Sequence, residues 1–353
     1  MKKITKIAGL LLAVSLMGSA FASGKKDGSK EVQLGTLSYL NFTEEKVGNI
    51  CEGSMPIYKI LQKKGYMRID GMDDVKISPT VRFYDTLEGL LMALKSGEIW
   101  GIAGIPQSTA KYLCAKDNSL GMKIAFDTKK SRENDIFASI AYKRLSDGFS
   151  FMMLEKNSAL CEQFNKIIED MTADGSLAKL IENEIIAAMD GREIREVAPE
   201  YKPERKTIKV AVAGAIPPMD YVAADGTFAG FNTAILAEIG KRLDRNITMV
   251  QVSSIGRATA LASGTVDVVF WTRSPAVDPI QKIGSEEFSA VRKSARSASS
   301  EEETAAMQIL TASIIGNKDG DMRGILRTRD MPAGTVITTP YFEDLPVIVG
   351  LKK

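Results

Sequence analysis

The sequence predicts an α/β fold built as two lobes, and three observations predict it. From Ile208 to Trp271 the apolar pattern runs strand, helix, strand, helix, strand, an order whose product is a parallel sheet. From Val32 to Met189 strand-like and helix-like runs alternate again, set apart from the first unit by a polar connection, Gly191–Lys206, that contains Pro199 and Pro203. The chain has 353 residues, 44% hydrophobic and 25% charged, which is enough for two globular units of ordinary size.

In chain order, Val32–Leu37 reads as a strand, and Gly53-Ser54 precedes a helix near Pro56–Lys64. Val81–Tyr84 is a strand, and Leu87–Lys95 is a helix stopped by Gly97. Ile99–Ile102 is a strand and Pro106–Leu113 a helix, and the apolar run Phe149–Leu154 is a further strand. Helices follow over Ser158–Met171 and Leu177–Met189, with Asp174-Gly175 between them and Ser176 able to cap the second. In the second half, strand Ile208–Ala213 enters a Pro217-Pro218 turn and a polar hairpin tip at Ala224-Asp225-Gly226. An amphipathic helix spans about Thr233–Leu243, then come strand Ile247–Val252, helix Ile255–Ser263, the stop Gly264 and strand Val266–Trp271. The segments Ala93–Ala103 and Ala260–Phe270 resemble each other, ALKSGEIWGIA against ALASGTVDVVF. Two lobes of one topology would repeat such a unit, and convergence on a common helix-to-strand connection would do the same.

Composition excludes several function classes. There is no histidine, so His-based triads, His–Cys dyads and His-ligated metal sites are absent. Cys51, Cys114 and Cys161 are few, odd in number and far apart; they read as buried small hydrophobes, or as one disulfide plus a free thiol. Lys2, Lys3 and Lys6 precede an apolar run from Ile7 to Met17, and Ala20-Phe21-Ala22 is a cleavage signal, so residues 1–22 read as a secretory signal peptide. No cysteine lies near that site, so the expected location is periplasmic, by export without a lipid anchor. Removing those three lysines leaves Lys+Arg 43 against Asp+Glu 44, a balance with no basic footprint for nucleic acid.

The second half resembles the first lobe of the bacterial extracellular solute-binding proteins of family 3, which serve amino-acid-type ABC importers. The matching pieces are PPM at Pro217–Met219, DG at Asp225–Gly226, GFN at Gly230–Asn232 and ALASGTVD at Ala260–Asp267. The first half resembles the second lobe, through Gly53-Ser54, ALKSGEI at Ala93–Ile99 and EKNSALCEQFNKIIEDMTADGSLAKLIE at Glu155–Glu182. The resemblance implies a two-lobed, type II periplasmic-binding-protein-like clamshell with the lobes in reversed order. Residues 31–190 would form the second-lobe-like domain, 191–206 the linker, and 207–353 the first-lobe-like domain. That last domain carries an insertion at about 284–324, rich in Ser, Ala and charge, which reads as a mobile loop or loose surface helix. The ending VITTPYFEDLPVIVGLKK is similar to the family's crossover strand, yet here it ends the chain. A circular permutation explains this, and so does an exchange of lobes in a homodimer.

A ligand of such sheets is expected beyond the carboxyl ends of the strands, at Gly214–Tyr221 and Trp271–Ser274. Arg273 follows a strand ending in Trp271-Thr272, and its guanidinium suits a carboxylate; an ordinary salt bridge is the alternative. Trp271 and Tyr221 would form an aromatic wall or pack in the core. Gly53-Ser54 at a helix start would offer backbone N–H groups to an anion, or Ser54 would simply cap. The family's arginine in T-x-x-R is not visible, and its acidic positions fall at Gly104–Ile105 and Ala213–Gly214, where no carboxylate stands. Asp220 beside the Pro-Pro turn would substitute, or serve the turn. The expected function is capture of a small anionic or zwitterionic solute for an ABC permease, with no catalytic residues, metal or cofactor. Two other classes stay open: a structural or signalling module that kept the fold without a ligand, and a secreted dehydratase-like enzyme relying on Glu, Asp, Lys or Tyr.

Overall fold

In the computed structural model the described residues are 30–40, 42–72, 75–78, 80–192, 197–275, 300–315 and 332–352. For Ala215, Glu302 and residues 271–275 and 311–315 only the backbone course is described. The expected signal peptide lies outside the described residues.

The first part of the chain runs β1 (Lys30–Val32), β2 (Leu34–Leu37), α1 (Glu44–Lys63), β3 (Met67–Ile69), β4 (Val75–Ile77), β5 (Arg82–Tyr84), α2 (Leu87–Ser96), β6 (Gly101–Pro106), α3 (Gln107–Lys116), β7 (Leu120–Phe126) and α4 (Ile136–Leu145). Then come β8 (Asp147–Leu154), α5 (Ser158–Ala173), α6 (Ser176–Leu180), a π-helical turn at Ile181–Ile186 and α7 (Ala187–Met189). After the connection follow β9 (Thr207–Val212), β10 (Ala215–Ile216), β11 (Asp220–Val222), β12 (Phe228–Ala229), α8 (Phe231–Leu243), β13 (Asn246–Gln251), α9 (Gly256–Ala262) and β14 (Val268–Pro275). The chain closes with α10 (Glu301–Ile315), β15 (Thr335–Ile337), β16 (Phe342–Asp344) and β17 (Pro346–Leu351).

Two six-stranded sheets organise these elements, as the predicted two-lobed α/β class requires. The second contains the expected βαβαβ unit: β13, β9 and β14 are parallel neighbours, β9 in the middle. The first has the order β3-β7-β17-β6-β2-β5, with β2 parallel to both β5 and β6. The repeated segments occupy matching places. Gly97 (φ 79) and Gly264 (φ 71) both stand left-handed between a helix and the strand beside the lobe's first parallel strand, β6 on β2 and β14 on β9. Helix ends follow local chemistry: Thr43, Thr86 and Asp135 accept the N–H of Lys46, Gly89 and Ala138 to cap α1, α2 and α4.

The boundary between the cores differs from the expectation. β8 was expected to belong with residues 31–190, but it pairs antiparallel with β14, β15 and β16 in the second sheet. The helices after it join the same core: Phe149, Phe164, Ile168 and Met171 bury against Val210, Phe231, Ile235 and Phe270. Arg242 on α8 bonds to Asp174 at 2.8 Å and to the Ser176 hydroxyl at 3.0 Å. Of the described residues, 30–145, α10 and the last strand build the first lobe's core, and β8 to β16 apart from α10 build the second's. The Gly191–Lys206 connection is internal to the second lobe. The run FSFMML is buried on both faces, a pattern that marks a central strand without saying in which sheet.

The C-terminal strand bears on the choice between permutation and exchange of lobes. β17 lies between β6 and β7 of its own chain, antiparallel to both, and Val347, Ile348 and Val349 bury in the first core. Exchange of lobes with a second copy is not needed to complete either sheet. The insertion was expected to be a loop or loose helix. Its described part is α10, whose Ala306, Met307 and Leu310 bury in the first lobe's core, and α10 packs on α1 and α4. Although α10 sits in sequence between two second-lobe strands, its apolar face is held by the other lobe. The remainder of the insertion lies outside the described residues.

Among the described residues the chain passes between the lobes at Ser146 and at Leu345. These passages run side by side, because Asp147 and Asp344 are opposed residues of β8 and β16. Lys30–Gln33 and Leu351 line one surface groove, which brings both ends of the folded chain to the same place. Joining Lys352 to Lys30 by a short Gly/Ser segment and opening the chain within Gly191–Lys206 should therefore preserve the fold. Circular dichroism and one cooperative melt like that of the parent are expected; an unfolded product would overturn this topology. Sedimentation of the parent should give a monomer.

Candidate functional site

The loops at the carboxyl ends of the parallel strands face each other across the two passages and enclose a cleft. The first lobe supplies Thr36–Tyr39 after β2 and Gly104–Pro106 at the end of β6. The second supplies Ala213 after β9, Ile216, Ser254, Arg257 on α9 and Phe270 on β14. Asp147, Phe149, Asp344 and Pro346 form the floor where the chain crosses. This is the place expected for a ligand of an open α/β sheet, realised in both lobes at once.

Arg257 is the cleft's buried guanidinium, only 5% exposed. Its Nε donates to the Ser254 carbonyl at 3.0 Å and Nη1 to the Phe270 carbonyl at 3.5 Å. Its Nη2 crosses between lobes to the Ser38 carbonyl at 3.2 Å. Near it, the N–H of Ile255 donates to Asp85 Oδ1 at 3.3 Å, a second contact across the lobes. A charge removed from water must be compensated, and here carbonyl oxygens of both lobes do so.

The floor carries the opposite charge. Asp344 Oδ2 accepts the N–H of Ser108 at 2.8 Å, at the start of α3, and Oδ1 accepts the N–H of Leu345 at 2.8 Å. Burial nevertheless pushes its carboxyl above the usual range, against the Ser108 and Leu345 hydrogen bonds. Asp147 opposes it across the β8–β16 pair. One guanidinium and two carboxylates thus face a single space, an arrangement that suits a zwitterion better than a simple anion. The space is small: about 40 Å³ is reachable by the centre of a water molecule. That holds roughly three waters, so a larger solute enters only when the lobes part.

The residues expected from the sequence fall in different places. The backbone of Trp271–Arg273 lies on β14 at an irregularity of its pairing with β8, between Trp271 and Ser274; the side chains of Trp271, Thr272 and Arg273 lie outside the described residues. Asp220 is wholly buried beside the cleft and accepts the N–H groups of Ala213 at 3.1 Å and Gly214 at 3.0 Å. Its Oδ1 has no hydrogen-bond partner among the described residues. Tyr221 pairs with Ala215 and Ala229 in the small β10-β11-β12 sheet and does not line the cleft.

Ser54 is a correction. α1 begins at Glu44, so Gly53-Ser54 sit in mid-helix and open nothing. The Ser54 hydroxyl, 3% exposed, donates to the Ile50 carbonyl at 2.8 Å, and the free N–H groups expected there do not exist. The start of α1 is set ten residues earlier by Thr43 with Glu44 and Glu45 in the first turn, a signal that was present in the sequence. Arg257, Asp147 and Asp344 were missed. Arg257 is one charged residue in a short helix, and the two aspartates are 197 residues apart until β8 and β16 pair.

Among the described residues no group of three or more Cys, Asp or Glu is placed to hold a metal, and no helix is long and apolar enough to cross a membrane. No disulfide joins Cys51, Cys114 and Cys161.

The comparisons now bear on this cleft. Residues 208–282 match the family described as bacterial extracellular solute-binding proteins, family 3, which covers the βαβαβ unit and Arg257. No curated protein matches the chain. Similar solved structures include a Listeria monocytogenes protein assigned as an L-cystine ABC transporter, with 11% identity over 92% of this chain and 84% of that one, TM-score 0.34. Others are the ligand-binding component of an ABC-type import system from Staphylococcus aureus with zinc bound (10%, 90% and 86%, TM-score 0.33) and an amino acid ABC transporter substrate-binding protein from Streptococcus pneumoniae bound to L-arginine (8%, 92% and 82%, TM-score 0.33). Scores this low add nothing to the reading of the cleft.

Asp220 generates a pH prediction. Burial pushes its carboxyl from 3.8 up to about 6, against the Gly214 and Ala213 N–H groups and the Arg257 charge that pull it down. Between those values the folded protein keeps a proton that the unfolded chain has released. Stability therefore falls as pH rises through that window and is level above it, by at most about 3 kcal/mol. Asp220→Asn keeps an acceptor for both N–H groups and should flatten the slope. Urea melts of both proteins at several pH values from 4 to 7 check this; a wild type with no slope would overturn it.

Proposed function

We propose that this protein is an exported solute-binding protein that takes a small zwitterionic or anionic solute, an amino acid or a related acid, between its lobes and delivers it to an ABC permease. The observation that carries the reading is the cleft itself, which lies at the strand ends of both lobes and takes its second-lobe wall, Ala213, Ile216, Ser254, Arg257 and Phe270, from the segment that matches the solute-binding family. The chain would present that architecture in circularly permuted order, supported by β17 completing the first lobe's sheet and by the meeting of the two chain ends. Export rests on the signal-like sequence at residues 1–22.

In this reading Asp147 and Asp344 at the floor would receive an ammonium group. Arg273, at the edge of β14, would grip the carboxylate in bidentate fashion. Trp271 and Thr272 precede it on the same strand. Tyr39, Phe149 and Phe270 supply apolar and aromatic wall, and Asp220 acts from behind by holding the β9 turn. Closure would bring the lobes together around the solute, as Arg257 and Asp85 already bring them together through the protein's own groups.

The molecule that copurifies with the protein, identified by mass spectrometry, names the solute. Titrating that molecule into Arg273→Ala should show a loss of about 1.5–3 kcal/mol, roughly ten- to a hundred-fold in affinity. Arg273→Lys should recover only part, because an ammonium does not form the fork. Unchanged affinity in Arg273→Ala would remove Arg273 from the site.

One observation favours a second reading. Arg257 ties the lobes with its own guanidinium and leaves little space, as a module that no longer takes a solute would. Arg257→Met separates the two: in a working binding protein it should loosen closure, with a larger radius of gyration by X-ray scattering that solute reverses. No copurifying molecule and no thermal shift with any amino or organic acid would favour the ligand-free module.

A further inference from the structure

Beneath the cleft lies a second cavity, inside the first lobe, between α1 and the sheet. Val47, Ile50, Cys51, Ser54 and Tyr58 face it from α1, at the three- and four-residue spacing of one helical face. Ala103, Ile124, Val347 and Ile348 face it from the sheet. It offers the water-sized centre about 40 Å³, as much as the cleft above. The walls are predominantly apolar, and the Ser54 hydroxyl is already committed to the Ile50 carbonyl. A cavity of that kind holds water poorly, because water needs two or more polar partners.

The two cavities adjoin. Tyr39, Gly104 and Pro346 line both. Gly104 stands at the doorway with φ 73, and a Cβ there would lie 2.9 Å from the Tyr39 hydroxyl and 3.3 Å from Thr36 Oγ1. Any larger residue would crowd Tyr39 and Thr36 where the two walls meet, and the left-handed backbone favours glycine there. Close packing is the rule in protein interiors, and here the unfilled space lies next to the charged cleft, with Tyr39, Gly104 and Pro346 shared between the two walls.

We infer that the solute carries a short hydrocarbon tail, seated in this annex between α1 and β17 while its charged head lies in the cleft. The class is an α-amino or α-hydroxy acid with an aliphatic side chain of about three to four carbons. The inference rests on the proposed function and names the solute class of that site. Head recognition belongs to Asp147 and Asp344 at the floor of the cleft; selection among solutes with the same head belongs to the annex.

Matched probes test this: L-alanine against L-leucine, and lactate against 2-hydroxy-4-methylpentanoate, each titrated into the full protein. Each buried methylene is worth about four-fold in affinity, so the longer member of the bound pair should bind at least ten-fold more tightly. Ala103→Val fills the annex and should reduce the longer probe to the affinity of the shorter one, which itself should not change. A readout that needs no variant uses the Cys51 thiol on the annex wall: the longer probe should slow its reaction with N-ethylmaleimide, mapped by peptide mass, and the shorter should not. Equal affinities within a pair, or equal labelling of Cys51 by both members, overturns the annex and leaves the solute-binding function standing. No binding of either pair, together with no copurifying molecule, overturns the function and the annex with it.

Discussion

The insertion of β17 between β6 and β7 is the constraint on which the rest of the structure depends. Without it the first sheet is two separate pieces, β3-β7 and β6-β2-β5, each with an unpaired edge facing the other. Val347, Ile348 and Val349 would leave a slot through the middle of the first core. That strand comes from the far end of the chain, so the first lobe is complete only once the second has been made and crossed. The contacts concerned join residues 224 to 247 positions apart, which makes the first lobe's closure a late event on loop-entropy grounds.

The same crossing builds the site. β16 pairs with β8 before the chain passes into β17, and this pairing sets Asp344 opposite Asp147 at the floor of the cleft. Asp344 is held from the other lobe by the N–H at the start of α3, where the helix dipole favours a negative charge. The Leu345 carbonyl accepts the Gln107 N–H at 3.0 Å, and Gln107 in turn exchanges hydrogen bonds with Phe126. The passages between lobes are thus pinned at their base, while across the mouth Arg257 and Asp85 bridge by hydrogen bonds. A base held by backbone ladders and a mouth held by two side chains is a division that permits opening about the base.

Burial explains how one small space accommodates mixed charge. Arg257 is compensated by carbonyl dipoles of three segments, Asp344 by two N–H groups, and Asp220 by two more. Apart from the Phe270 carbonyl inside β14, each partner belongs to a strand end or helix start, the positions where backbone groups are not consumed by regular structure. The polar lining of the cleft is therefore largely a property of where the strands stop, and the apolar annex a property of how α1 lies on the sheet.

Much of this was legible in the residues. The βαβαβ unit, the two glycine-stopped helix-to-strand units, the crossover character of TPYFEDLPVIVG and the two-lobed class all follow from patterns of short range, which local sterics and periodicity determine. The start of α1 was written in Thr43, Glu44 and Glu45, yet the Gly-Ser pair inside the helix concealed it. Tertiary structure alone decided that β8 and α5–α7 serve the second core, since an all-apolar strand fits the middle of either sheet. It alone decided that α10 crosses to the first lobe, that β17 pairs within its own chain, and that Arg257, Asp147 and Asp344 converge. These are choices among partners distant in sequence, and no periodicity records a partner. They are settled by which burial leaves no sheet edge and no charge uncompensated.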